Sequence, residues 1–191
     1  MTEKNRFTAT GRVISIRQSG KEKILTLIIK NKPQDIYPQI HCQNQPMDWI
    51  KDHEYVTVTG HAESRISETT QASYPVLCAD RIEKAIPEIE KEFHTGGRFV
   101  MPKQIYLYVS GVVQKIREDN GYVRYTVETS SPDGTAEELR IDWKKIERHP
   151  DYPIGSHVCA VCTISTPQKQ IGTEKRIFLN FNVFDMGILE Q

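Results

Sequence analysis

The stretch GRVISI, residues 11–16, returns as GVVQKI at residues 111–116, one hundred residues later. In each copy a glycine opens an alternating apolar run and an arginine closes it, Arg17 in the first and Arg117 in the second. Alternation with a period of two belongs to a strand with one buried face. A glycine inside such a run marks a bend or a bulge. A second echo, DWIK at 48–51 and DWKK at 142–145, falls after the third strand expected in each half. The shared order of these landmarks predicts that the chain contains the same small unit twice.

Working outward from the two glycines, strand patterns dominate the whole sequence. In the first half they fall at 7–16, 23–30, 35–42, 54–63 and 74–83, with SGKE as a hairpin turn and a polar loop at 66–73. In the second half they fall at 104–116, 122–129, 138–143, 151–165 and 175–187, with REDNG as the matching turn. Residues 46–52 and 144–149 are expected as helical turns, the first with Asp48 as N-cap. Between the halves, IPEIEKEFHTGGRF (86–99) has a proline suited to a helix start and paired glycines suited to its end. The predicted organisation is therefore 1–85, a linker helix at 86–102, and 103–191.

Five strands, the first long and bent, with a helical turn between the third and fourth, describe an OB-fold barrel. The predicted fold class is all-β: two tandem five-stranded OB-fold barrels joined by a short helical linker. The first unit also resembles the bacterial single-stranded DNA-binding protein family. The residues that carry the resemblance are GRVISI, IHCQN, IKDHEYVTVTGHAESR and YPVLCADRIE. Lys51, Val56, Val58 and Gly60 approximate that family's K-x-x-x-V-x-V-x-G strand with one extra residue after the lysine. The resemblance covers about 75 residues. In the second unit Val158 fits, but Cys162 stands where glycine is expected. The resemblance implies single-stranded DNA as partner and sets of four OB folds, which a homodimer of this chain would supply. It also implies an acidic tail after the last strand; FDMGILEQ does not match that pattern, so recruitment through a tail is not expected.

Composition narrows the function classes. Lys+Arg and Asp+Glu are both 25 in 191 residues, so coating nucleic acid by bulk charge is disfavoured. No run approaches the length of a membrane span, and nothing near the N-terminus reads as a signal peptide, so a cytoplasmic protein with reduced thiols is expected. Cys159 and Cys162 in CAVC lie on an alternating run, where side chains three apart point to opposite faces. A zinc or redox role for that pair is rejected, and no metal or cofactor is expected. There is no phosphate loop, nucleophile elbow or clustered carboxylate pair, so catalysis is not expected.

A single-strand binder needs a basic groove and aromatic faces. Residues 1–32 contain eight basic residues and two acidic ones, a local excess of six in a neutral chain. Arg12, Arg17, Lys30 and Lys32 are the candidate phosphate contacts there, with Arg65 further on. On the third strand Ile36, Pro38, Ile40 and Cys42 are assigned to the core, which turns Tyr37 and His41 outward as candidate stacking residues. Trp49 and Tyr74 are further aromatic candidates, although Trp49, after the third strand, is expected chiefly to pack against the barrel. In the second unit Arg117 and Arg124 extend the track, although residues 101–191 hold 11 basic and 12 acidic residues and carry no excess. The expected function is non-catalytic binding of single-stranded DNA with low sequence specificity, in replication, repair or plasmid transfer. A protein-interaction module of a replication or transfer complex is the alternative, and RNA binding the third.

Overall fold

The structure, a computed structural model, describes residues 4–30, 34–85, 105–145 and 151–189. In the first half, β1 (Asn5–Ser19), β2 (Glu22–Ile28), β3 (Gln39–Cys42), β4 (Tyr55–Ile66) and β5 (Ser73–Lys84) close on themselves in the order β1-β2-β3-β5-β4-β1. Only β3–β5 is parallel. In the second half, β6 (Ile105–Asp119), β7 (Tyr122–Ser130), β8 (Ala136–Lys144), β9 (His157–Ser165) and β12 (Asn180–Ile188) close in the same way, with β8–β12 the parallel pair. This is the OB topology, written twice. A separate two-stranded arm, β10 (Gln168–Ile171) with β11 (Glu174–Ile177), stands between β9 and β12.

The alternating pattern builds each core. Phe7, Leu25, Leu27, Ile40, Val58 and Leu77 fill the first barrel. Leu107, Val127, Leu139, Ile141, Ile164 and Phe181 fill the second. The glycines that open the repeat are needed where the first strand changes partners. Gly11 faces Val56 of β4, and at Arg12 the strand also begins to pair with β2, opposite Ile28. A Cβ on Gly11 would meet Ile29 Cγ1 at 2.7 Å and the Ile28 carbonyl oxygen at 2.8 Å. On Gly111 it would meet the Glu128 carbonyl oxygen at 1.9 Å. Bulges follow three residues on in both copies, at Ile14 and Gln114, and let one strand serve both sides of its barrel.

Several expectations need correction. No helix occurs among the described residues, so nothing in them supports a helical link between the barrels. They are joined by strand pairing: Asn5–Ala9 of β1 runs antiparallel to Ile105–Val109 of β6, making one ten-stranded sheet. The linker helix expected at 86–102 lies outside the described residues. Residues 46–52 form hydrogen-bonded turns, with Ile50 N donating to the Met47 carbonyl at 3.0 Å. Of the expected turn at 144–149, residue 144 ends β8 and 146–149 lie outside the described residues. The DW echo is not structural, because Asp142 and Trp143 lie inside β8 whereas Asp48 and Trp49 lie in the turns after β3. Trp143 packs against Tyr152, ring centroids 5.7 Å apart. The expected strand at 175–187 is two strands, β11 and β12, broken at Phe178–Leu179.

Beyond the paired strands, side chains weld the joint. Ser110 Oγ of β6 accepts from Lys4 N at 2.7 Å, while Asn5, buried beside the joint, locks β1 to β4 within the first barrel, donating to the Ala62 carbonyl at 2.6 Å and accepting from Ala62 N at 3.0 Å. Ser64 N donates to Glu137 Oε2 at 3.0 Å, tying β4 to β8.

Candidate nucleic-acid interface

Cross-strand pairing lines up equivalent rows on the outer faces of the two barrels. In the first the row runs Arg17, Ile24, His41, Cys78, His61 across β1, β2, β3, β5 and β4. In the second it runs Arg117, Arg124, Asp142, Asn182, Thr163 across β6, β7, β8, β12 and β9. Directly paired residues share a face. Arg17 and Arg117, the arginines of the opening repeat, therefore stand at the same corner of each barrel, and both are exposed. Arg117 has no hydrogen bond or ion pair among the described residues. Arg17 has one long contact, Nη2 to Gln39 Oε1 at 3.4 Å.

Further along the rows the charges are already paired. Arg65 donates to both oxygens of Glu22, at 2.9 and 3.0 Å, and His41 Nδ1 lies 2.7 Å from Glu22 Oε2. Gln43 also donates to Glu22. The hydrogen bonds from Arg65 hold the Glu22 carboxyl down at about 2 against the opposing cost of burial, and Gln43 and His41 add to the effect. In the second barrel Arg124 donates to Asp119 at 2.8 Å and lies 3.5 Å from Asp142, which Arg140 also approaches at 3.5 Å. His41, Arg65 and Arg124 thus sit in networks that neutralise them internally.

The Glu22 network has a measurable consequence. Glu22 titrates near 4.5 when unpaired and near 2 in the fold, so the stabilisation it provides is complete above about 4.5 and is lost as the pH falls towards 2. Melting temperature followed from pH 7 to pH 2.5 should fall through that window. Glu22→Gln should melt lower at pH 7 and fall less steeply on acidification; an identical profile for both proteins would show that the pair contributes nothing.

A second group of candidates gathers at the seam between the barrels. Arg12 and Lys30 lie near one another on β1 and just after β2, and the Lys30 ammonium is held by Asp35 at 2.7 Å, which raises its pKa. Arg12 has no hydrogen bond or ion pair among the described residues. Tyr37 is half-buried, and its backbone N–H donates to Thr166 Oγ1 of the second barrel at 2.8 Å. The next residue, Pro167, accepts from Phe178 N at 2.9 Å, and Lys169 Nζ sits 5.7 Å from the centre of the Phe178 ring. Two hydrogen bonds one residue apart therefore bring Tyr37, Phe178 and Lys169 to the same loop. Neither Lys169 nor Phe178 is among the nucleic-acid contacts expected from the sequence, where the outward side of Phe178 points instead to an assembly contact. Their signal was a basic–aromatic pair flanking a short arm, and it was hidden because the strand was read as continuous.

The remaining candidates are scattered. Tyr74, 44% exposed, pairs with Arg65 across β4–β5. Trp49, 39% exposed, donates its indole N–H to the Pro46 carbonyl at 3.0 Å, which fastens it to its own turn. Lys32 lies outside the described residues. Of the CAVC pair, Cys162 is fully buried and Cys159 half-exposed, so the two sulfurs point to opposite faces. A different donor cluster is present: His61, Glu63 and Cys78 place ligand atoms within 4.8 Å of one another. Sequence spacing concealed it, since His61 and Cys78 meet only through strand pairing.

Two barrels of this topology, fused edge to edge, can be compared with known structures. Across 100% of this chain and 95% of the other, the structure matches the wild-type single-stranded DNA-binding protein from Thermus aquaticus, with a TM-score of 0.64 and 12% identity. The chain has the fold of a bacterial single-stranded DNA-binding protein. A deletion mutant of the Thermus protein matches equally, over 100% and 96% of the two chains, at a TM-score of 0.64 and 12% identity. The likeness spans both barrels at once, so their placement is shared as well as their topology. No protein-family profile matches the sequence, and no curated protein matches it either. Among the described residues no helix is long and apolar enough to cross a membrane.

Proposed function

We propose that this protein binds single-stranded DNA without catalysis and with low sequence specificity, the strand following the seam between its barrels. The observation that carries the reading is that Tyr37, within electrostatic reach of Lys30 as Arg12 also is, bonds to the loop of the second barrel that holds Lys169 and Phe178, so cations and aromatic rings flank one loop junction of an OB pair. Cations follow the phosphates and rings stack on bases of any identity. Arg17 and Arg117, exposed at matching corners, extend the path onto each barrel. The exposed Lys30–Asp35 pair opposes this only weakly, because surface ion pairs are worth about 0–1 kcal/mol.

Titration of labelled oligo(dT) tests the reading. Affinity should fall as salt rises, with a log–log slope of about −0.7 for each phosphate neutralised. Arg12→Ala combined with Lys30→Ala should flatten that slope by about one unit or more. An unchanged slope removes both residues from the path, and no binding at low salt removes the function. An oligo(U) of the same length separates DNA from RNA as the preferred strand.

A specific observation favours the second reading, a protein-interaction module. The Glu22–Arg65 and Arg124–Asp142 pairs neutralise the outer faces that a nucleic acid would otherwise use. Failure to bind any oligonucleotide in a folded, monodisperse sample would select it. The processes proposed are replication, repair or plasmid transfer, in the cytoplasm, with the chain as a homodimer of four barrels. Phe184 and Ile188 on β12, 65% and 56% exposed, offer a contact face. Sedimentation at micromolar concentration should give twice the 22.0 kDa of one chain, and a single species at 22.0 kDa removes the dimer.

A further inference from the structure

We infer that His61, Glu63 and Cys78 form a binding site for a divalent transition metal of borderline softness, zinc(II) foremost. His61 of β4 and Cys78 of β5 are direct cross-strand partners, and Glu63 lies two residues along β4 on the same face. Their donor atoms fall within 4.8 Å of one another. A tetrahedral zinc with bonds of about 2.0–2.3 Å needs ligand separations of about 3.4–3.8 Å, so a closure of about 1 Å brings all three into range. One imidazole, one carboxylate and one thiolate are a borderline-to-soft donor set, which suits zinc and excludes magnesium or calcium. Three protein ligands leave the fourth position to water.

The surroundings are those that a metal ligand set requires. Asp80 Oδ1 lies 2.8 Å from His61 Nδ1, fixing the ring with Nε2 directed at Glu63 Oε1, 3.0 Å away. Arg65 reaches Glu63 Oε2 at 3.4 Å and the Cys78 sulfur at 3.7 Å. Glu22 in turn balances Arg65. Each candidate ligand thus has an outer partner that orients it, the arrangement that holds first ligands in place at metal sites. Metal entry displaces the proton of the Cys78 thiol and any proton on His61 Nε2, while the Nδ1–H is held by Asp80. The bound ion would clip β4 to β5 at the base of the hairpin that carries Arg65 and Tyr74.

The full chain, stripped with chelator, is titrated with cobalt(II) and read by absorption. The expected result is one equivalent bound, with a sulfur-to-cobalt charge-transfer band in the near ultraviolet, displaced by zinc(II). Cys78→Ser should abolish that band, whereas Cys159→Ser, at a half-exposed thiol elsewhere, should keep it. His61→Ala should weaken binding at least tenfold, and Asp80→Asn about 10–100-fold. A folded protein that takes up no equivalent of cobalt or zinc overturns the proposal, as does a band that survives Cys78→Ser. Should Cys78→Ser fail to fold, His61→Ala decides: it leaves the core untouched, and unchanged cobalt affinity overturns the site.

Discussion

Gly111→Ala should lower the melting temperature by about 6–12 °C, the shift that about 3 kcal/mol produces in a domain of this size. The new methyl would lie 1.9 Å from the Glu128 carbonyl oxygen, and the obstacle is backbone, which no rotamer change relieves. Either β6 moves away from β7 or the hydrogen bonds around the closure point are lost. Gly20→Ala is the control. Its Cβ meets nothing within 4 Å, and the cost is confined to a left-handed φ of +57°, about 1 kcal/mol. Equal melting temperatures for the two variants would show that the close approach at Gly111 is not a constraint. Gly11→Ala should fall between them, since Ile29 Cγ1 can swing aside although the Ile28 carbonyl cannot.

Tyr37→Ala should weaken oligo(dT) binding by about 1–3 kcal/mol, roughly 5–150-fold, and Phe178→Ala by a similar amount. Tyr37 is a clean probe because its link to the second barrel runs through the backbone N–H, which survives the substitution. Tyr37→Phe keeps the ring and should be nearly silent. Phe178 likewise keeps its bond to Pro167 when the ring is removed. Fluorescence titration and a thermal melt on the same samples separate the outcomes. Lost affinity with an unchanged melt places a base on the ring. An unchanged affinity with a lowered melt makes the ring barrel packing and moves the strand elsewhere.

The barrels were legible because OB strands with one buried face must alternate, and Gly11 and Gly111 recur at a point where no side chain fits. What joins the barrels was not legible. The pairing of Asn5–Ala9 with Ile105–Val109 links segments about 100 residues apart, and nothing in either segment encodes its partner. The Asp-Trp echo misled because two residues are too few to fix a position; row pairing makes His41, rather than Asp48, the counterpart of Asp142. At the site, period-two reasoning separates the inner and outer residues of β3. It could not foresee that Glu22, the single acidic residue of the basic hairpin, would capture Arg65 from a strand 43 positions away. Charge counting sees totals, whereas neutralisation depends on which side chains the sheet brings together. Lys169 and Phe178 became visible only with the break between β11 and β12.

The strand pairing at the joint also sets a timetable for biosynthesis. Residues 7–9 of β1 pair with β4 on one side, and among the described residues it is β6 that covers residues 5–9 on the other. A ribosome working at about 5–20 residues per second needs about 5–20 s to add the roughly 100 residues between these segments. During that interval the first barrel can close, yet it carries a bare ladder of N–H and C=O groups that would template onto any neighbouring chain. Slower translation of the second half should therefore raise the aggregated fraction. A helper that shields strand edges would act in that interval, before the second barrel exists.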